Sequence, residues 1–204
     1  MLSLVAGLAG GAIHALSGPD HLAAVTPLSL GDRWRGARAG LEWGIGHGAG
    51  VGLLGLVAIA AHQAVPVDVL SGWSESFVGF VLLGIGAWAL LRGYRFSSAR
   101  PDADHEVAPP HHHRSATLGL GALHGSAGAG HLVAVLPAAG LSTFGAAIYL
   151  VSYVLGAAAA MATVGALAGE ISARGGRRFL PLILAGSGAC AMVVGACWIV
   201  GSFY

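Results

Sequence analysis

The sequence contains no lysine, and its ten arginines and nine acids leave a net charge of +1, with only 9% of residues charged. Without a basic cluster outside short loops, nothing points to nucleic acid as a partner. Cysteine is almost as scarce. Cys190 and Cys197 are the whole complement, and on a helix they share a face but stand too far apart along it to bond to each other. They do not form the Cys-x-x-Cys of a redox or thiolate site, so they read as small apolar packing residues. No ATP-binding motif is present. What fills the chain instead is apolar, at 55% hydrophobic residues.

Stretches of about 20 or more apolar residues, the length a helix needs to cross hydrocarbon, run near Leu2 to Leu30, Gly40 to Ala61, Val69 to Leu91, Ala116 to Leu141, Phe144 to Ala168 and Leu180 to Phe203. The expected fold is an all-α integral membrane protein of six transmembrane helices, its partner the lipid bilayer. Thirty-four glycines would weaken soluble helices, but in lipid small residues let backbones approach closely, and Gly44, Gly46, Gly48, Gly50 and Gly52 read as one such face. All ten arginines fall in the first, third and fifth loops: Arg33, Arg35 and Arg38, then Arg92, Arg95, Arg100 and Arg114, then Arg174, Arg177 and Arg178. The positive-inside rule makes those loops cytoplasmic and puts both termini outside, in a multi-pass protein expected in the bacterial inner membrane. The residues before His14 lack the basic start of a cleaved signal peptide and are taken as the first span.

The chain is written twice. His14 to Pro27 and His124 to Pro137 both read His-x6-His-Leu-x-Ala-Val-x-Pro, and the same 110-residue offset pairs Trp43 with Tyr153, Gly46 with Gly156, Gly55 with Gly165, Trp88 with Trp198 and Tyr94 with Tyr204. The expected organisation is a first three-helix repeat over 1–94, a cytoplasmic His-rich linker over 95–115 and a second three-helix repeat over 116–204. Three spans per copy invert the second, a recurring plan of secondary transporters with the site at the midplane between the halves.

Ionisable side chains inside apolar helices are costly and default to function. His14, Gly18 and His21 share one helix face, while Pro19 removes a backbone hydrogen bond and clashes with the carbonyl of Ala15, so the first span should kink or break there. If the two signature helices cross where Gly18 meets Gly128, His14 pairs with His131 and His21 with His124, as two pairs separated by ~10 Å at 1.5 Å per residue. The second span adds Glu42 and His47, whose counterparts are Ser152 and Ala157; Asp20 becomes Gly130. The first half therefore carries the carboxylates and a third histidine. Imidazole with carboxylate and no thiolate suits borderline divalent metals: nickel, cobalt, zinc or copper. The candidate metal ligands are His14, Asp20, His21, His47, His124 and His131, with Glu42 auxiliary.

These motifs resemble the nickel/cobalt transporter superfamily, including the branch related to nickel-export proteins and urease-accessory permeases. Its first-helix signature is similar to His14 through Asp20-His21, and its second-helix Gly-His motif to Gly46-His47. The resemblance implies metal-selecting roles for His14, Asp20, His21 and His47. Here five residues, none acidic, separate His14 from Asp20, where the familiar form has four.

The linker carries Asp102, Asp104, His105 and Glu106, then Pro109-Pro110-His111-His112-His113, a composition that favours disorder. His105, His111, His112 and His113 are further auxiliary ligands, able to collect metal at the cytoplasmic face or merely to solvate a linker. His62, Asp68 and Glu75 lie near the outer surface, and Trp34, Trp43 and Trp73 near span ends, where an aromatic belt sits. The expectation is a permease, not an enzyme, whose substrate is a divalent transition-metal ion, Ni2+ or Co2+ foremost and Zn2+ or Cu2+ as alternatives. It would associate with a second copy or with a partner membrane or metal-delivery protein. The alternatives are a membrane-embedded metalloenzyme, for which no separate nucleophile or acid–base pair is present, and an accessory subunit of a larger membrane complex.

Overall fold

The computed structural model describes the backbone of residues 1–61, 67–98, 114–127 and 129–201, and the side chains within them except those of 55–61, 67–75, 98, 114–115, 129–130, 132–133 and 176–178. Among the described residues the fold is entirely helical: α1 (Leu2–Ser17), α2 (Pro19–Leu28), α3 (Arg33–Ala61), α4 (Val67–Ser98), α5 (Arg114–Gly125), α6 (Ala129–Ala139) and α7 (Thr143–Gly201). Ser76–Ser97 in α4 and two stretches of α7, Thr143–Gly175 and Phe179–Gly201, are long and apolar enough to cross a membrane. The bent pair α1 and α2 makes a fourth if counted as one span. Among the described residues these make three or four of the six crossings expected. The stretch expected second falls in α3, where the side chains of 55–61 are outside the described residues. The stretch expected fourth is divided between α5 and α6, of 12 and 11 residues, each short of the ~20 that a crossing needs.

The break expected at Pro19 is present. Gly18 leaves the helix in extended conformation (φ −81°, ψ 110°) and Pro19 opens α2, a first-turn position that needs no N–H. The axes of α1 and α2 are bent by 78°. One consequence is local: in an unbroken helix the N–H of residue 19 would bond the carbonyl of Ala15, so the proline leaves that carbonyl for another donor. The second copy is broken at the matching place, between the end of α5 at Gly125 and the start of α6 at Ala129. Gly128, the other half of the expected crossing, is outside the described residues.

The α7 helix cannot be straight, because a straight helix would hold Tyr153 and Trp198 about 68 Å apart. Tyr153 instead lies 5.9 Å from the ring of His14 and Trp198 lies 5.7 Å from that of His124, two members of one cluster. Its apolar stretches therefore fold back on each other. Close glycine contacts give the remaining directions. Gly7 and Gly11 of α1 face Tyr149, Ser152 and Tyr153, so α1 runs parallel to the first stretch of α7. Gly36, Gly40 and Gly44 of α3 face Gly165, Met161 and Ala158, which is antiparallel, and Gly79, Gly86 and Gly93 of α4 run antiparallel to Ile199, Gly188 and Pro181 of the second stretch. Arg33, Arg35 and Arg38, Arg92 and Arg95, and Arg174 thus gather at one end of the bundle.

The glycine run of α3 serves two neighbours rather than one face: Gly44 and Gly48 meet α7 at Ala158 and Val154, while Gly46 and Gly50 meet α5 at Leu118 and Ala122, and Gly52 faces open space. Successive even positions advance about 200° around a helix, so alternate glycines point opposite ways. Several contacts recur at the 110-residue offset. A methyl at Gly121 would overlap the carbonyl of Trp43, and one at Gly11 the carbonyl of Tyr153; Gly46 meets the Leu118 carbonyl as Gly156 meets that of Leu8. Outer faces carry exposed Val5, Ile13, Phe80, Leu155, Leu182 and Val193, whereas Ala15, Ala24, Trp43, Leu82, Ala157 and Met161 are buried together.

Candidate metal centre

Five elements bring six polar side chains into this apolar interior: His14 from α1, Asp20 and His21 from α2, His47 from α3, His124 from α5 and His131 from α6. Apart from half-buried His14, all are buried, His47 completely. The expected pairings are both close, with ring centroids 5.1 Å apart for His14 and His131 and for His21 and His124. They are not two separate pairs. His14 and His21 are only 4.9 Å apart and His21 and His131 5.9 Å, because the bend at Gly18 carries His21 back toward His14 instead of one further turn along a straight axis. His47 stands between them, 4.6 Å from His21 and 5.1 Å from His131.

Ligand atoms of His14, His21, His47 and His131 all lie within 4.8 Å of one another, and so do those of Asp20, His21 and His124. The Nε2 atoms of His14 and His47 face each other at 3.2 Å, close to the edge of about 3.3 Å between two nitrogens tetrahedrally bound to one ion at 2.0–2.1 Å. His124 Nε2 donates to Asp20 Oδ2 at 2.8 Å, and His21 Nε2 is 3.7 Å from the same oxygen.

Backbone carbonyls settle two tautomers. The Ala15 carbonyl, freed by Pro19, accepts from Nδ1 of His21 at 3.2 Å. Ala127, in the break of the second copy, accepts from Nδ1 of His131. A carbonyl can only accept, so in both rings Nδ1 carries the proton and Nε2 keeps its lone pair. A carbonyl that holds Nδ1–H in this way fixes the ring's orientation and aims Nε2 into the cluster. Among the described residues, His21 Nε2 is buried without a hydrogen-bond partner, as is His47 Nδ1. A buried lone pair with nothing to accept from is expensive unless something electropositive occupies the space beside it.

Around the cluster the walls are aromatic, which spacing alone did not reveal. Trp43, expected at a membrane interface, is 1% exposed; it lies flat on His47, centroids 5.0 Å apart and planes within 5°, and 5.3 Å from His124. Its repeat partner Tyr153 lies against His14, and Trp198 against His124. The pairing of Trp43 with Tyr153 at the repeat offset was the available signal. Trp34 is exposed, with Arg33 over its ring. Glu42, expected as an auxiliary ligand, stands outside both ligand groups: one and a half turns below His47, its carboxylate takes Arg38 Nε at 2.9 Å. Cys197 lines, with His14, Ser17, Asp20, His21, His131 and Trp198, an open cleft of about 490 Å³ that reaches the cluster. Cys190 and Cys197 are both free thiols. His105, His111, His112 and His113 of the linker, and His62 and the side chains of Asp68, Trp73 and Glu75, are outside the described residues.

No family model matches the chain, and no solved structure does. Among curated proteins it is 33% identical over 178 residues to Chloroplast protein FOR GROWTH AND FERTILITY 2 of Arabidopsis thaliana, covering 81% of this chain and 46% of that protein. It is 32% identical over 184 residues to Chloroplast protein FOR GROWTH AND FERTILITY 1 of the same plant, covering 81% and 49%. With Urease accessory protein UreH of Bacillus sp. (strain TB-90) it shares 28% identity over 147 residues, covering 64% and 60%. The chain spans about half the length of the two chloroplast relatives.

Proposed function

We propose that this chain is a permease for a divalent transition-metal ion, nickel or cobalt foremost, which passes through a buried site made by His14, Asp20, His21, His47, His124 and His131. The observation that carries this reading is the convergence of five histidines and one aspartate from five helices on one apolar interior. A purely structural histidine needs one hydrogen-bond partner from a neighbouring helix, not four other imidazoles within 6 Å. The open cleft beside the cluster supplies a way in from one side, and the partial likeness to a urease accessory protein supports the superfamily resemblance of the motifs.

On this reading the bundle is six crossing segments arranged as a 3+3 inverted repeat, with the α1–α2 and α5–α6 pairs as the two broken crossings facing each other at the midplane. Broken backbone at membrane depth is tolerated where it is buried in protein or lines a polar cavity. The arginine end is cytoplasmic and both termini of the chain are outside. Exposure of the site alternates by rocking of one half against the other, and the chain itself catalyses no reaction.

The test is metal flux into proteoliposomes containing the purified chain, with nickel, cobalt, zinc and copper in parallel and His21→Ala as control. Flux above empty liposomes that His21→Ala abolishes is the expected result, and the ion carried names the substrate. Tight binding with no flux would overturn transport in favour of a fixed metal centre. Neither binding nor flux would overturn the metal reading altogether.

A further inference from the structure

We infer that the centre holds two adjoining cation positions that share one ligand, Nε2 of His21, and are therefore filled in turn rather than together. This rests on the metal reading above and adds to it a stoichiometry and a path. One position is walled by His14, His21, His47 and His131; the other by Asp20, His21 and His124. Among the described residues His21 alone belongs to both.

The sharing is exclusive for a chemical reason. An imidazole bridges two metal ions only as imidazolate, with both ring nitrogens bound. Here Nδ1 of His21 donates to the Ala15 carbonyl, which Pro19 leaves without its helical N–H, so one lone pair remains. That lone pair, on Nε2, is buried and has no hydrogen-bond partner among the described residues. It lies 3.7 Å from Asp20 Oδ2 on one side, while its ring is 4.9 Å from His14 and 4.6 Å from His47 on the other. One lone pair binds one ion. Closing either set onto an ion at 2.0–2.1 Å needs ring shifts under about 1 Å, and two dications that close in a low-dielectric interior would repel strongly. The two positions differ in chemistry: four imidazoles against a carboxylate and two imidazoles, of which His124 must first move to its Nδ1 the proton that its Nε2 donates to Asp20. An ion handed across by His21 exchanges an all-nitrogen shell for one with an anionic oxygen, so His21 is the pivot of the transfer.

The experiment uses the full chain in detergent with Co2+ as probe, combining equilibrium dialysis with the visible d–d spectrum, which reports coordination. Wild type is expected to bind one Co2+ per chain at saturation. Asp20→Asn, which spoils only the oxygen-bearing position, and His47→Gln, which spoils only the all-nitrogen position, are each expected to keep one Co2+ but with different spectra. His21→Gln, common to both, is expected to lose affinity by at least ~10- to 100-fold. Two Co2+ per wild-type chain would overturn the shared ligand while leaving metal handling intact. Identical spectra for Asp20→Asn and His47→Gln would overturn the two positions and reduce the centre to a single one. No Co2+, Ni2+, Zn2+ or Cu2+ bound by wild type would overturn both the inference and the function it rests on. The wild-type stoichiometry and spectrum need no variant to fold.

Discussion

Two glycines on α5, only two residues apart, offer a direct measure of how far helix contact governs the histidine cluster and the metal binding proposed for it. Gly119 has nothing within 4 Å of where a Cβ would stand, whereas a Cβ at Gly121 would overlap the carbonyl of Trp43 and crowd the N–H of His47. Both substitutions to alanine gain the same helix propensity, about 0.5–1 kcal/mol. Only Gly121→Ala must push α5 off α3, by roughly 1 Å or more to restore ordinary van der Waals spacing, which at typical overpacking penalties costs about 1–3 kcal/mol. His124 is one turn further along α5, and its partners Trp43 and His47 are on the helix being pushed away. A misplacement of about 1 Å in a ligand set is worth on the order of a hundredfold in function. Gly119→Ala is therefore expected to leave thermal stability in detergent unchanged or raised and Co2+ affinity unaltered. Gly121→Ala should lower the melting temperature and weaken Co2+ binding ~10- to 100-fold, and its repeat counterpart Gly11→Ala, against Tyr153, should do the same. Equal behaviour of Gly119→Ala and Gly121→Ala in both assays would refute the claim that close backbone approach holds the centre in register.

Other expectations follow from the walls and the break. Trp43 lies flat on His47, so Co2+ or Cu2+ should quench tryptophan fluorescence, and Trp43→Leu should remove much of that quenching; an undiminished signal would show that the ion binds away from α3. A Cβ at Gly18 would press on the ring of His21 and on Asp20. Gly18→Ala, measured by Co2+ titration and thermal melting, should cost about tenfold in affinity with stability within ~1 kcal/mol; unchanged affinity would mean that the ring is free to move. Pro19→Ala restores a backbone N–H that competes with His21 for the Ala15 carbonyl. Its expected effect is a loss of Co2+ affinity with a nitrogen-NMR signature of mixed His21 tautomers, and a pure Nδ1–H signature would show that the proline does not set the tautomer.

Much of the cluster was legible because ionisable residues are rare in this chain and conspicuous against it. His14, Asp20, His21, His47, His124 and His131 could be picked out by their setting in apolar stretches and by the 110-residue repeat, and the break at Pro19 by the missing N–H. What misled was the assumption of a straight axis. Spacing along a helix converts to distance only while the helix continues, and at Gly18 it does not, so two pairs ~10 Å apart became one cluster. Trp43 illustrates the other limit, since aromatic rings near span ends and rings walling a buried site have the same sequence surroundings. Glu42 is a third case: five residues from His47 is one and a half turns, enough to turn its carboxylate away to Arg38.

The sequence by itself determined that this protein is apolar and helical, that its two halves carry matched His-x6-His signatures, and that the arginines cluster in three segments, because composition and periodicity are local properties. Only the tertiary structure decided that five imidazoles and one carboxylate meet, that Nε2 of His21 has no hydrogen-bond partner among the described residues and stands between two groups of polar side chains, and that Trp43 and Tyr153 wall them. Those outcomes depend on the angle at Gly18 and on how closely glycine-bearing helices approach, and no residue states either on its own.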